Sequence, residues 1–251
     1  MGDRRLPPAV AVPVLTAAIV VAAGRGTRMG ATTGKAFLDL GGMPVAVHAL
    51  QTLNRLPSLT SIVLVVSADQ EAAASEIIQR YGPWTSPVRL ARGGAERQDS
   101  VAAGLAAVDI DAALVLVHDA ARPFVSLGCI ETCVATAATY GAAIAAVAAH
   151  DTVKLVDPDS VIIETLDRRR IWLAQTPQVF RTTLLREAYE RARNDGFVAT
   201  DDAALVEHLG HAVRIVPGEP TNRKITTPDD LRWAECHLQS HSGLASEPRR
   251  H

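Results

Sequence analysis

"AAIVVAAGRGTRMGATTGKAFL", residues Ala17–Leu38, decides how this chain is built. Ala17–Ala22 is an unbroken β-prone run, which predicts a buried strand. Behind it come Gly24, Gly26, Gly30 and Gly34, interleaved with Arg25, Arg28 and Lys35. Two phosphate motifs almost fit. A dinucleotide fingerprint needs G-x-G-x-x-G, whereas Gly24, Gly26 and Gly30 are one residue too far apart. A P-loop needs four residues between its glycines, and Gly30 and Gly34 have three; Ala36 also lacks the hydroxyl that would ligate Mg2+. What remains is physical: glycines let the backbone approach a polyphosphate with its amides as donors, and Arg28 and Lys35 add two full charges. A nucleoside triphosphate is the smallest common ligand that needs both; a glycine turn with solvated basic residues is the alternative.

Outward from that loop, strands and helices alternate. Pro44–Leu53 reads as a helix, Ser61–Val66 as a buried strand and Ala68–Tyr81 as a helix stopped at Gly82. A short strand in "PVRLARGG", a helix in "ERQDSVAAGLAAV" and a strand in "AALVLVHDAARPF" follow. Ser126 is placed to cap a helix running to Tyr140, and "AAIAAVAA" is a further strand. This rhythm predicts an α/β fold with a doubly wound, mostly parallel, Rossmann-like sheet. Ligands of such sheets sit beyond the carboxyl ends of the strands, where the glycine loop would lie.

Residues Asp151–Gln178 break the rhythm, with two β-rich runs joined by Asp157-Pro158-Asp159-Ser160, a turn composition that predicts a hairpin. An exposed hairpin edge invites pairing with another chain, so a dimerisation arm at about 150–175 is the preferred account and a flap over the site the other. Thr182–Asn194 then reads as a helix ended at Gly196, Thr200 as the cap of "DDAALVEHLG", and "HAVRIVPG" as a strand. Thr227 is expected to cap a last helix with Pro228 at its first position. One domain over 15–238 is expected, with 1–14 and 239–251 as disordered tails.

The net charge of −2 excludes an overall basic field for nucleic acid, so any basic site is local. No apolar run reaches the ~18 residues that span a bilayer. Arg4 and Arg5 before an apolar stretch imitate a signal peptide, but Pro7, Pro8 and Pro13 interrupt it. Cys129, Cys133 and Cys236 have no companion Cys/His cluster, and read as free thiols of a reducing cytoplasm. Asp119 ends an apolar strand, where such sheets place functional groups; it suits Mg2+ or a substrate hydroxyl, with Arg122 placed to orient it. His118 beside it reads as a packed core histidine.

Taken in order, "AAGRGTRMG…GKAFL", "GGAERQDSV", "VHDAARPF", "DTVKLV", "LDRRRIWLAQTPQVF", "VATDDAALVE" and "NRKITTPDDL" are more specific than any one alone. Over about Ala17–Leu238 they resemble the 2-C-methyl-D-erythritol 4-phosphate cytidylyltransferases of the non-mevalonate isoprenoid pathway. The resemblance implies transfer of CMP from CTP to that polyol phosphate, giving 4-diphosphocytidyl-2-C-methyl-D-erythritol and pyrophosphate. Cytidylyl transfer to another polyol phosphate such as ribitol 5-phosphate shares most of the blocks, and a non-catalytic nucleotide-binding module is the alternative of a different class.

The resemblance also implies roles. Ala22, Ala23, Gly24 and Gly26 would line the nucleotide site, with Gly94, Ala95 and Ser100 at cytosine and ribose. Arg28 and Lys35 match a pair that stabilises the transition state. Asp119, Arg122, Thr152, Thr176 and Thr200 would bind the second substrate, whose phosphate Arg168 and Lys224 would position. The arm, with Thr152 and Arg168, would reach a neighbouring subunit of a homodimer. Mg2+ would be held mostly by CTP phosphates, with Asp119 the candidate protein ligand. Two positions depart from the family's pattern: Gly34-Lys35-Ala36 stands where Pro-Lys-Gln is common, and Ala95 where a polar residue is. No histidine stands in a convincing position for a base, and none is needed, because an attacking phosphate with a second pKa of ~6 is already ionised at pH 7.

Overall fold

The computed structural model describes residues 14–24 and 34–243. In chain order the elements are β1 (Thr16–Val21), β2 (Asp39–Leu40), β3 (Met43–Pro44), α1 (Val45–Leu53), β4 (Leu59–Val66), α2 (Glu71–Arg80), β5 (Val88–Arg92) and α3 (Arg97–Ala107). Then follow β6 (Leu114–Asp119), α4 (Leu127–Tyr140), β7 (Ala142–Ala148), β8 (Lys154–Val156), β9 (Ile162–Thr165) and β10 (Trp172–Arg181). The chain closes with α5 (Thr182–Asp195), α6 (Asp202–His208), β11 (Arg214–Pro217) and α7 (Pro228–Gly243).

Seven strands form one sheet in the order β11-β7-β10-β6-β1-β4-β5. β1 runs parallel to both β4 and β6, so the strand order reverses around it. Its side chains alternate between two cores. Ala18 and Val20 pack with Leu50 of α1, Ala74 of α2 and Ile130 of α4. Ala17 and Ile19 face the opposite way, toward Val101 of α3, Leu185 of α5 and Leu205 of α6. A run apolar at every position therefore reports a strand covered by helices on both faces, as expected.

The structure revises the sequence reading in several places. β10 is an antiparallel strand inserted between β6 and β7, whereas its residues were expected within the hairpin. The arm accordingly ends sooner: Trp172, Leu173 and Ala174 already pair with Ala148, Val147 and Ala146 of the central sheet. The hairpin itself is β8 paired with β9, and Asp157 builds its turn, with Oδ1 accepting from the amides of Asp159 (3.0 Å) and Val161 (2.8 Å). Thr200 does not cap α6. Asp201 does, its Oδ1 accepting from Ala204 N at 3.0 Å. Ser126 and Thr227 cap α4 and α7 as expected. Ala68–Gln70 forms a separate 3-10 turn before α2, and α7 continues to Gly243, beyond the expected boundary at 238.

Candidate active site

A cavity of about 600 Å³ opens at the carboxyl ends of β1, β4, β5 and β6. Backbone pairing sets its floor: Ala22 N donates to Val65 O (2.7 Å) and Gly93 N to Val66 O (2.8 Å), which brings the turns after β1 and β5 side by side. The approach is close enough to require glycine. A Cβ on Gly93 would stand 2.7 Å from both Ala23 Cβ and Ser100 Oγ, and one on Gly94 would stand 2.3 Å from Asp99 Cβ. Ala22, Ala23, Gly24, Gly94, Ala95 and Ser100, all expected at the nucleotide, line this cavity together with Lys35 and Lys224. The Ser100 hydroxyl is buried and donates to Glu96 O at 3.1 Å. Lys35 opens a 3-10 turn (Lys35–Phe37), and its stem passes Gly24, where a Cβ would stand 3.9 Å from Lys35 Cε. Gly26 and Arg28 lie outside the described residues.

A second cavity, of about 220 Å³, adjoins the first and is lined by Arg122, Thr176, Thr200 and Asp201 among others; Arg97, Asp119 and Lys224 belong to both. Asp119 is the junction. Its Oδ2 meets Lys224 Nζ at 2.8 Å and Arg122 Nε at 3.5 Å, and its Oδ1 faces Arg97 Nε at 3.5 Å. Burial alone would raise its pKa, but Lys224, Arg97 and Arg122 outweigh burial and hold the carboxyl well below its ordinary range. Lys224 reaches it from the segment before α7, anchored by Ile225 N donating to Ala121 O (2.8 Å).

Behind Asp119 lies a buried relay. Asp119 N donates to Thr176 Oγ1 (3.0 Å), the Thr176 hydroxyl donates to His118 Nδ1 (3.0 Å), and His118 Nε2 donates to Arg122 O (3.1 Å). With a neutral ring this proton assignment is the one that satisfies every group, since a carbonyl only accepts and a hydroxyl has one hydrogen. Burial, opposed by that bond to the Arg122 carbonyl, lowers the His118 pKa to about 4, so the ring is neutral at pH 7. His118 is thus the packed core histidine that was expected, and the Thr176 hydroxyl, expected at substrate, is engaged within the protein.

Two expected residues lie elsewhere. Arg168 and Thr152 are exposed on the arm and line neither cavity of their own chain; the Arg168 guanidinium donates to His150 O. Arg97 was missed, as was its partner Asp202, whose Oδ2 stands 2.7 Å from Arg97 Nη2. The signal for Arg97 was its place in "GGAERQDSV", between Gly94 and Ser100; nothing local marks a partner 105 positions away. As for metal, the described residues hold no group of three or more His, Cys, Asp and Glu side chains suited to a cation, and the Asp119 oxygens are turned to ammonium and guanidinium groups. The donor set does not fit a protein-held Mg2+.

A model of the 2-C-methyl-D-erythritol 4-phosphate cytidylyltransferase family matches residues 16–240. The enzyme of that name from Syntrophus aciditrophicus is 46% identical over 226 residues, which is 90% of this chain and 97% of that protein. Its counterpart from Pelotomaculum thermopropionicum is 44% identical over 232 residues, covering 92% and 97%. Among solved structures, 4-diphosphocytidyl-2C-methyl-D-erythritol synthase from Anaerococcus prevotii superposes with a TM-score of 0.81 at 33% identity, over 91% of this chain and all of that one. A match over nearly the whole described fold, and over nearly the full length of both relatives, places the chain in the 2-C-methyl-D-erythritol 4-phosphate cytidylyltransferase family.

Proposed function

We propose that the chain transfers CMP from CTP to 2-C-methyl-D-erythritol 4-phosphate, releasing pyrophosphate, with Arg28 and Lys35 acting on the donor and Lys224 and Arg168 on the acceptor. The family is one of CTP-dependent nucleotidyltransferases of isoprenoid precursor synthesis. One observation carries the assignment of roles: the larger, glycine-walled cavity and the smaller, polar one meet at Asp119 and Lys224. The nucleotide occupies the first, its base against Ala22, Ala23, Gly94 and Ser100 and its phosphates toward Lys35. The polyol phosphate occupies the second, near Arg122 and Thr200, with its phosphate toward Lys224.

An oxygen of the acceptor phosphate attacks the α-phosphorus, and the bond to the β-phosphate oxygen breaks. The attacking group is ionised at neutral pH, so no base is required; the use of both His118 nitrogens inside the protein accords with this. Catalysis reduces to alignment and to neutralising charge on the reacting phosphates. A divalent cation would enter with the triphosphate, since Mg2+ commonly binds through substrate phosphates and keeps several waters. The three free cysteines support a reducing compartment such as the cytoplasm, and no described helix is long and apolar enough to cross a membrane.

The arm supports a homodimer with shared sites. Leu155, Val156, Val161, Ile162, Ile163 and Leu173 all expose their side chains at or beside the hairpin, an apolar surface of the kind that interfaces cover. Arg168 stands on the same arm, outside its own chain's cavities, so its contribution to the acceptor site would be made in a second copy. Mixed oligomers of Arg168→Ala and Lys35→Ala subunits are expected to regain activity that neither homo-oligomer has, because one composite site in the mixture is intact. No recovery on mixing contradicts the shared site. The reaction is tested by pyrophosphate release with each of four nucleoside triphosphates and the two acceptors. CTP with methylerythritol phosphate is expected to dominate; a preference for ribitol 5-phosphate, or nucleotide binding without release, overturns the assignment.

A further inference from the structure

Arg97 is the one residue at the cavity junction that belongs to neither substrate in the roles above. It lies at the first position of α3, its side chain is 26% exposed, and it lines both cavities. One end of its guanidinium is fixed from behind. Nη2 meets Asp202 Oδ2 at 2.7 Å, the Asp202 side chain is fully buried, Tyr189 OH donates to Asp202 Oδ1 at 2.6 Å, and Asp202 N donates to Gln178 Oε1 at 3.1 Å. Tyr189 of α5 thus holds the carboxylate that holds Arg97, and Gln178 of β10 holds the backbone beneath it. The other end, Nε, faces Asp119 Oδ1 at 3.5 Å, while Lys224 and Arg122 are on Oδ2.

The consequence lies in how the Asp119 charge is shared. A buried carboxylate needs compensation, and an ammonium has three N–H donors with no acceptor. With Arg97 facing one oxygen, Lys224 meets Asp119 through the other and keeps hydrogens that point elsewhere. Without Arg97, Asp119 would lean on Lys224 and Arg122 alone and draw the ammonium away from an incoming anion. Asp201 also lines the smaller cavity, so Arg97, Arg122 and Lys224 are matched in number by Asp119, Asp202 and Asp201, and what each cation can offer a ligand depends on which carboxylate oxygen it is paired with. An arginine serving Asp202 alone would not need to extend to the cavity junction.

We propose that Arg97 is a positioning residue for the transfer: anchored on Asp202, it carries one oxygen of Asp119 and so keeps the Lys224 ammonium available to the acceptor phosphate. This rests on the assignment of Lys224 to that phosphate, and the test separates the two. Arg97→Gln alone would leave Asp202 as a buried, poorly compensated charge, so the informative variant is Arg97→Gln with Asp202→Asn, which neutralises both partners together. Arg97→Lys and Lys224→Gln complete the set. The measurements are kcat, KM for each substrate, CTP affinity by calorimetry, and Tm.

The paired variant is expected to raise the acceptor KM by about tenfold or more, the scale of one lost charge-assisted contact, and to leave CTP affinity within about twofold. Arg97→Lys recovers part of the loss. On a Lys224→Gln background the pair adds less than about threefold, because coupled residues are not additive. An unchanged acceptor KM with only a lower Tm makes Arg97 structural and overturns the proposal. An equal loss of CTP affinity, or a full additional tenfold on the Lys224→Gln background, overturns it as well. A Lys224→Gln enzyme with normal acceptor KM overturns the Lys224 assignment and this proposal with it, whereas impaired Lys224→Gln beside unimpaired Arg97 variants overturns the proposal alone.

Discussion

Lys35→Ala is expected to lower kcat by about a hundredfold or more, the scale seen when one donor to transition-state charge is removed. The residue starts a tight turn whose backbone closes through Phe37 N donating to Gly34 O at 2.9 Å, and its stem lies against Gly24 at the cavity wall. In the proposed roles it would reach the donor phosphates from an element separate from β1. Charge grows on the α-phosphate and on departing pyrophosphate only as the reaction proceeds, so the loss falls mainly on kcat, with a smaller change in KM for CTP. Steady-state pyrophosphate release at saturating substrates checks this; near-normal kcat removes Lys35 from the chemistry. By resemblance Arg28→Ala carries the same expectation.

The second large effect is on stability. His118 is fully buried and neutral, with its pKa lowered by burial to about 4 from an ordinary 6.5. As pH falls below 6.5 the unfolded chain takes up a proton that the folded chain refuses, so folding stability drops until the folded pKa is reached. At 1.36 kcal/mol per unit, the loss is about 3 kcal/mol between pH 6.5 and 4. Asp119 has the opposite kind of charge but the same direction: its depressed folded pKa gives stability that is present above about 4 and lost only at lower pH. The two windows do not overlap. Urea denaturation at a series of pH values is therefore expected to show a decline from 6.5 to 4 that His118→Gln flattens, since an amide donates to Arg122 O and accepts from Thr176 without titrating. Parallel declines in the two proteins would contradict the assignment.

What the sequence made legible follows from which residues satisfy themselves locally. β1 is apolar at every position because helices cover both faces, and Gly141 and Gly196 end α4 and α5 with positive φ, as stop signals do. β10 was hidden for the opposite reason. Its buried Gln175, Thr176 and Gln178 are polar, and Pro177 sits where β10 shifts register against β7, a composition that argues against a central strand. Those side chains bond to distant groups: Gln175 Nε2 donates to Glu219 O, Thr176 to His118, and Gln178 Nε2 to Asp201. Thr200 and Asp201 are both good cap residues by type, and only backbone geometry chooses between them. In the site, sheet topology alone pointed to the glycine loop after β1, whereas Ala22, Ala23, Gly94, Ala95 and Ser100 were named from the resemblance, and the structure brings them to one cavity wall. Arg97 was not named, because its meaning depends on Asp202 and Asp119, which other elements deliver.

In the proposed reaction the two cavities meeting at Asp119 hold the donor and acceptor phosphates on either side of one reacting phosphorus. A crystal structure of the chain with CTP tests it most directly. Cytosine is expected against Ala22, Ala23, Gly94 and Ser100, with the α-phosphate beside the Lys35 amine and open toward Lys224 and the cavity lined by Arg122 and Thr200. A nucleotide bound with its α-phosphate turned away from both lysines would contradict it.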